Sequence, residues 1–177
     1  MKLAYCIPGK LWWVTDFLDE DIYKGIHDAI IKQRKQLNLQ SVINHWPHQL
    51  TQNLKAPDRV DVSQYEPFED LKKQVRTNQW FNLPVLEKMF TTIHHMKKDS
   101  GINWHNDGSW KYGATYYINR RWNIHWGGEF MFATGDAHGF LPITGNSLVM
   151  VKAPLDHKVN PVLSPIMPRI SVQMFMK

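Results

Sequence analysis

The stretch that most restricts how this chain can fold is its last one, in which Ile170, Val172, Met174 and Met176 alternate one for one with Arg169, Ser171, Gln173 and Phe175. A period of two sends successive side chains to opposite faces of a strand, whereas a helix would mix the two sets. One face is therefore greasy and suited to a core. The other can line a polar cavity, with Arg169 and Ser171 pointing inward together. From about residue 91 the chain offers further short segments of this kind, broken by Gly, Pro, Asn and Asp: 91–96, 102–107, 113–119, 129–133, 147–152 and 169–176. Several short strands with turn residues between them predict an antiparallel sandwich or barrel.

The first half reads differently. Residues 11–18 are predicted as a strand, followed by a capped helix from near Asp19, in which Ile22, Ile26, Ala29 and Ile30 recur at helical spacing behind an acidic first turn. A polar stretch at 40–65, with Pro47 and Pro57, reads as irregular loop able to cover a site. Phe68, Leu71 and Val75 predict a second amphipathic helix, and 84–90 a short helical or irregular connection.

The 177 residues suit one domain, with strand and helices over about 1–90 and a β core over about 91–177. A hydrophobic share of 43% and a charged share of 21% match a water-soluble globular chain, and no apolar run approaches the ~20 residues of a membrane helix. Pro8, Gly9 and Lys10 interrupt the N-terminal apolar run, and Cys6 is the only cysteine, so a cytoplasmic setting without disulfides is expected. The net charge of +5 is scattered along the chain and decides little about partners.

Chemistry concentrates in three places: His105 and Asp107 two residues apart, His157 well downstream, and Arg169 on the final strand. On a strand, the i, i+2 spacing puts His105 and Asp107 on one face, and a sheet folding back can bring His157 beside them. Two imidazoles and one carboxylate leave part of an octahedral Fe(II) shell open, as oxygen chemistry requires. A guanidinium fork then suits a carboxylate near the metal. Each residue also has a plain alternative. The chain carries nine His, an H-x-D triplet arises often by chance, and His157 taken alone reads as a surface histidine. His138, near Asp136, is a competing ligand at what looks like a turn tip, and His125 reads as a loop residue. The same ligand set suits a zinc or manganese cupin-like hydrolase, which Arg169 argues against, and a noncatalytic jelly-roll binding module is a third reading. Eight Trp are present, and Trp104, Trp110, Trp122 and Trp126 flank the candidate metal strand. They serve either core and turn packing or a substrate groove walled by Trp110, Trp122, Trp126 and Phe175.

Ordered elements from Trp104 to Lys177 carry a resemblance: Trp104-His105-Asn106-Asp107, Tyr116-Tyr117-Ile118-Asn119, Trp126-Gly127-Gly128-Glu129, Gly145-Asn146-Ser147-Leu148-Val149, His157-Lys158-Val159 and Arg169-Ile170-Ser171-Val172. Together they resemble the Fe(II)/2-oxoglutarate-dependent dioxygenases, and within them the prolyl 4-hydroxylase-like branch. The resemblance implies a mainly β fold with flanking helices, an α+β protein whose double-stranded β-helix (jelly-roll, cupin-like) core carries N-terminal helices on one sheet. It implies that His105, Asp107 and His157 bind iron and act in catalysis, and that Arg169 pairs with the distal carboxylate of 2-oxoglutarate. Tyr117 and Ser171 are expected beside the cosubstrate. His95 stands where similar enzymes often carry a further cosubstrate-contacting tyrosine.

The implied reaction hydroxylates a C–H bond, decarboxylating 2-oxoglutarate to succinate, with ascorbate as an accessory reductant. The intact Asp107 favours hydroxylation over halogenation, since related halogenases lack that carboxylate. The implied partner is a proline-containing protein or peptide. A free amino acid, another protein side chain or a small molecule is the alternative. Phe175 replaces the Trp that prolyl hydroxylases typically set beside the target ring, and no Arg stands just upstream of Tyr116. Nucleic acid is not expected, because relatives that repair alkylated bases carry a second Arg where Phe175 stands.

Overall fold

The computed structural model describes residues 1–33, 47–135 and 137–177; the predicted loop at 40–65 and Asp136 therefore fall partly or wholly outside the described residues. The strands are β1 (Lys2–Ile7), β2 (Leu11–Thr15), β3 (Asp58–Asp61), β4 (Met89–Met96), β5 (Ile102–His105), β6 (Tyr112–Tyr117), β7 (Phe130–Thr134), β8 (Ala137–Leu141), β9 (Leu148–Lys152), β10 (Asp156–Val159) and β11 (Arg169–Met176). The helices are α1 (Glu20–Gln33), α2 (His48–Thr51) and α3 (Glu69–Thr77). A seven-stranded sheet runs in the order β1-β2-β9-β6-β11-β4-β3, and a four-stranded sheet in the order β5-β10-β7-β8. Their strand pairs are antiparallel, and this is the expected jelly-roll arrangement with helices added on one side.

The greasy face of β11 buries Ile170, Val172, Met174 and Met176 in one cluster with Tyr23, Ile26 and Ile30 of α1 and Leu71 and Val75 of α3. The helices thus cover the outer face of the large sheet. Each such side chain contributes roughly 1.5–3 kcal/mol when fully buried. A second cluster, with Leu11, Tyr117, Val149 and Val151 from the large sheet and Phe130, Phe132 and Leu141 from the small one, fills the space between the sheets. Asn146 ties the N-terminal segment to this frame. Its Oδ1 accepts from Leu18 N at 2.9 Å and Tyr116 Oη at 2.9 Å, and its Nδ2 donates to Leu18 O at 2.8 Å.

Six elements depart from expectation. The stretch called irregular at 40–65 contains α2 and β3, the latter paired to β4. The segment around His138, read as a turn tip, is strand β8. Its Gly139 serves the strand and not a turn, because the Phe132 ring fills the space a Cβ would need. Strand β5 ends at His105 and not at residue 107, since Asn106 Oδ1 accepts from Gly108 N at 3.2 Å and Gly108 adopts φ +59°. Strands β1 and β10 also form where no strand was expected. No helix among the described residues is long and apolar enough to cross a membrane.

Candidate active site

His105 and His157 are direct cross-strand partners of β5 and β10, with ring centroids 4.3 Å apart. Asp107 reaches them from the turn after β5, whose Trp110 N donates to Asp107 O at 3.2 Å. One ligand atom from each of the three lies within 4.8 Å of the others, and His157 Nε2 stands 3.7 Å from Asp107 Oδ1. The imidazoles are oriented alike. His105 Nδ1 lies 2.7 Å from Asn103 O and His157 Nδ1 lies 2.8 Å from Leu155 O, contacts that fit an Nδ1–H donating to the carbonyl two residues back. That leaves each Nε2 lone pair for a metal. Burial, and then the neighbouring His157, push the His105 pKa below its ordinary range, so the neutral, ligating form is favoured. On the other side of Asp107 is Gly113 of β6. A Cβ built there would clash with Asp107 Oδ2, so the carboxylate packs directly against bare backbone.

From this cluster the polar face of β11 leads inward. Phe175 pairs with Gly113, Gln173 with Thr115, and Ser171 with His94 on one side and Tyr117 on the other. Thr115 Oγ1 donates to Gln173 Oε1 at 2.8 Å, and Gln173 Nε2 lies 3.4 Å from Ser171 Oγ, which accepts from Arg169 Nη1 at 3.1 Å. A cavity of about 50 Å³ is lined by the three candidate ligands together with His94, Thr115, Gln173 and Phe175, and closed by Ile102, Phe130, Val149, Val151 and Val159. Arg169 is wholly buried, its guanidinium 5.0 Å from the Tyr117 ring centroid, yet its Nε and Nη2 have no hydrogen-bond partner and no carboxylate among the described residues lies within 4.0 Å. A desolvated cation left half unpaired costs several kcal/mol unless an anion arrives. The donor set fits Fe(II), and the orphaned guanidinium fits a carboxylate of a small diacid.

Residues 91–177 match the family model of the 2OG-Fe(II) oxygenase superfamily. The chain carries a 2OG-Fe(II) oxygenase domain. It is thus an oxidoreductase of a class that uses ferrous iron and 2-oxoglutarate. No functionally curated protein matches the sequence significantly. Among solved structures, the oxygenase fold is similar to a prolyl hydroxylase from Trichoplax adhaerens, in complex with a hypoxia inducible factor oxygen degradation domain peptide fragment, at TM-score 0.79 and 12% identity over 96% of this chain and 84% of that one. A Pseudomonas putida prolyl-4-hydroxylase aligns at TM-score 0.74 and 16% identity over 95% and 92%. The viral collagen prolyl hydroxylase of Paramecium Bursaria Chlorella virus-1, as a 2OG complex, aligns at TM-score 0.67 and 14% identity over 98% of each chain.

Within the oxygenase, the sequence-derived candidates divide. His105, Asp107, His157 and Phe175 line one cavity, and Arg169, Ser171 and Tyr117 adjoin it along the same barrel face. His95 does not join them. It is on the opposite face of β4, 3.7 Å from Asp58, and its neighbour His94 takes the inward position across from Ser171. Trp110 sits at the mouth, 5.9 Å from Phe175. Trp122 and Trp126 do not line the cavity: they pack edge to face at 5.3 Å, and Trp122 Nε1 donates to Gly127 O at 2.9 Å. Trp104 and His138 meet at 5.6 Å on exposed surface, away from the ligands. Gly113, Thr115 and His94 are cavity residues that sequence reasoning passed over. For the first two a signal existed, because strand alternation from Tyr117 reaches both.

Proposed function

We propose that this protein is a 2-oxoglutarate-dependent hydroxylase acting on a peptidyl proline, in which His105, Asp107 and His157 hold ferrous iron and Arg169 holds the far carboxylate of 2-oxoglutarate. The observation that carries this reading is the conjunction of a His-Asp-His cluster with a fully buried, half-unpaired guanidinium on the same barrel face. The bound iron and cosubstrate supply the oxidising chemistry: one oxygen atom of O₂ enters the C–H bond as hydroxyl and the other enters succinate, with loss of CO₂.

The chain's own residues supply position and shelter. Asn103 O and Leu155 O fix the two imidazoles, and the bare backbone at Gly113 seats the Asp107 carboxylate. Arg169, supported by Ser171, orients the cosubstrate, with Tyr117 beside it. Ile102, Phe130, Val149, Val151 and Val159 exclude water from the reacting centre. Phe175, which lines the cavity and is backed by Trp110, provides an apolar surface for a proline ring. A peptide substrate is further supported by the similarity to a prolyl hydroxylase bound to a peptide fragment.

Anaerobic addition of Fe(II) and 2-oxoglutarate is expected to produce a weak visible charge-transfer band, lost in Asp107→Ala. A band that survives this substitution eliminates the ligand set. Mass spectrometry of proline peptides after aerobic turnover should then record a one-oxygen gain that requires 2-oxoglutarate.

A further inference from the structure

The cavity opens onto a rim whose chemistry is uneven. Phe175, which lines the cavity, touches Trp110 at 5.9 Å, and Trp110 stacks against Phe90 at 6.5 Å and 15°. Lys177 Nζ stands 5.1 Å over the same indole. Beginning at Gly108, the residue after Asp107, an open groove of about 480 Å³ runs past Trp110 and Lys111 to Lys152 and Pro154. Its lining contains two lysines and no acidic residue. Among the described residues, no carboxylate lies within 4.0 Å of the ammonium groups of Lys111, Lys152 or Lys177. The lysines are mounted on fixed backbone. Lys111 N donates to Met176 O at 2.9 Å, Ala153 N to Lys111 O at 2.9 Å, and Lys152 N to Lys10 O at 2.8 Å.

We infer that this groove receives an acidic segment of the peptide substrate, with carboxylates flanking the residue presented to the metal, and that Lys111, Lys152 and Lys177 select for it. The inference rests on the hydroxylase reading above and names its substrate class. The groove lies beside the cavity: its Trp110 packs against Phe175 of the cavity at 5.9 Å, and its Gly108 follows Asp107 in sequence, so a chain lying in it would pass next to the candidate metal site. Cations on a rim act mainly on encounter and selectivity, through long-range attraction that salt screens. Nucleic acid would satisfy the same charges, but single-stranded bases also need open aromatic faces on which to stack. Here the Trp110 ring is already engaged by Phe90, Phe175 and Lys177. An acidic peptide needs only the charges and an apolar edge.

The test uses fluorescein-labelled peptides with one central proline and flanks of Glu, Gln or Lys, titrated by anisotropy against the full chain loaded with Mn(II) and 2-oxoglutarate. The Glu peptide should bind about tenfold more tightly than the Gln peptide, the difference shrinking as salt rises. In the Lys111→Glu/Lys152→Glu double variant the order should reverse, with the Lys peptide preferred. Equal affinity for all three peptides overturns the inference, as does tighter binding of a labelled single-stranded oligonucleotide of equal charge. Succinate release from 2-oxoglutarate with Fe(II), O₂ and ascorbate, the last reducing the second oxygen atom when no peptide is present, reports separately on the underlying oxygenase reading. Flank-independent binding alongside normal succinate release removes the acidic-substrate inference alone.

Discussion

At the residue scale, two side chains separate function from folding. A fold gains nothing from sealing Arg169 away from water with two of its guanidinium nitrogens unpaired. Arg169→Leu should therefore leave the ligand-free protein at least as stable to heat, while weakening 2-oxoglutarate binding on the order of 100-fold. Thermal unfolding and calorimetric titration on the same samples check both halves; unchanged affinity removes Arg169 from the site. Gly113 is the quieter case. A methyl group there would clash with Asp107 Oδ2 and would also meet Val151 Cγ2 at 3.3 Å, so the carboxylate has to leave the place from which it faces the two imidazoles. Gly113→Ala should weaken Fe(II) or Mn(II) binding by at least about tenfold, as loss of a supporting contact around a metal ligand typically does. Circular dichroism should find its strand content unchanged. Retention of full metal affinity would mean that Asp107 has another way to reach the metal.

At the element scale, strand phase decides what the sequence can reveal. The alternation in β11 was readable because its two faces differ in chemistry, and its bounds agree with those expected. In β4 the adjacent His94 and His95 give no such contrast, and only pairing with β11 turns His94 inward. Strands β8 and β10 are short and Gly- or Asp-bearing, and they exist because β7 offers both of its edges. Local pattern cannot announce a ladder that a distant segment completes. Asp107 was found for a reason the fold does not use. It shares no strand with His105, and a side-chain-capped turn delivers it instead.

The inward phase of His94 has a measurable consequence. Burial first, then the charges of Arg59 and Arg169, hold its pKa well below 6.5. As pH falls through about 6.5, the unfolded chain takes up a proton that the folded one refuses, so stability declines with acidification. His105, also lowered, adds a contribution of the same sign. Denaturant titrations of metal-free protein between about pH 7.5 and 5.5 should record this loss, with a shallower slope in His94→Gln. An equal slope would mean that His94 is protonated within the fold.

At the scale of the whole molecule, the two halves of the sequence cannot be separated. The family match covers residues 91–177, yet β9 of that region pairs with β2, and β4 pairs with β3. Removing residues 1–90 would strip Ile170, Val172 and Met174 of the helices that bury them and leave two sheet edges open. The isolated 91–177 fragment is expected to show no cooperative thermal transition and to aggregate, whereas the full chain unfolds in one step. A soluble, cooperatively melting fragment would assign the N-terminal half to substrate handling alone.

The candidate metal ligands hang from the small sheet and the turn that follows it, whereas Arg169 hangs from the large one. A diacid held at one end by a metal on these ligands and at the other by Arg169 would be a cross-brace between two walls. Loading the site would then be expected to tighten the sandwich itself, and emptying it to loosen the two sheets again.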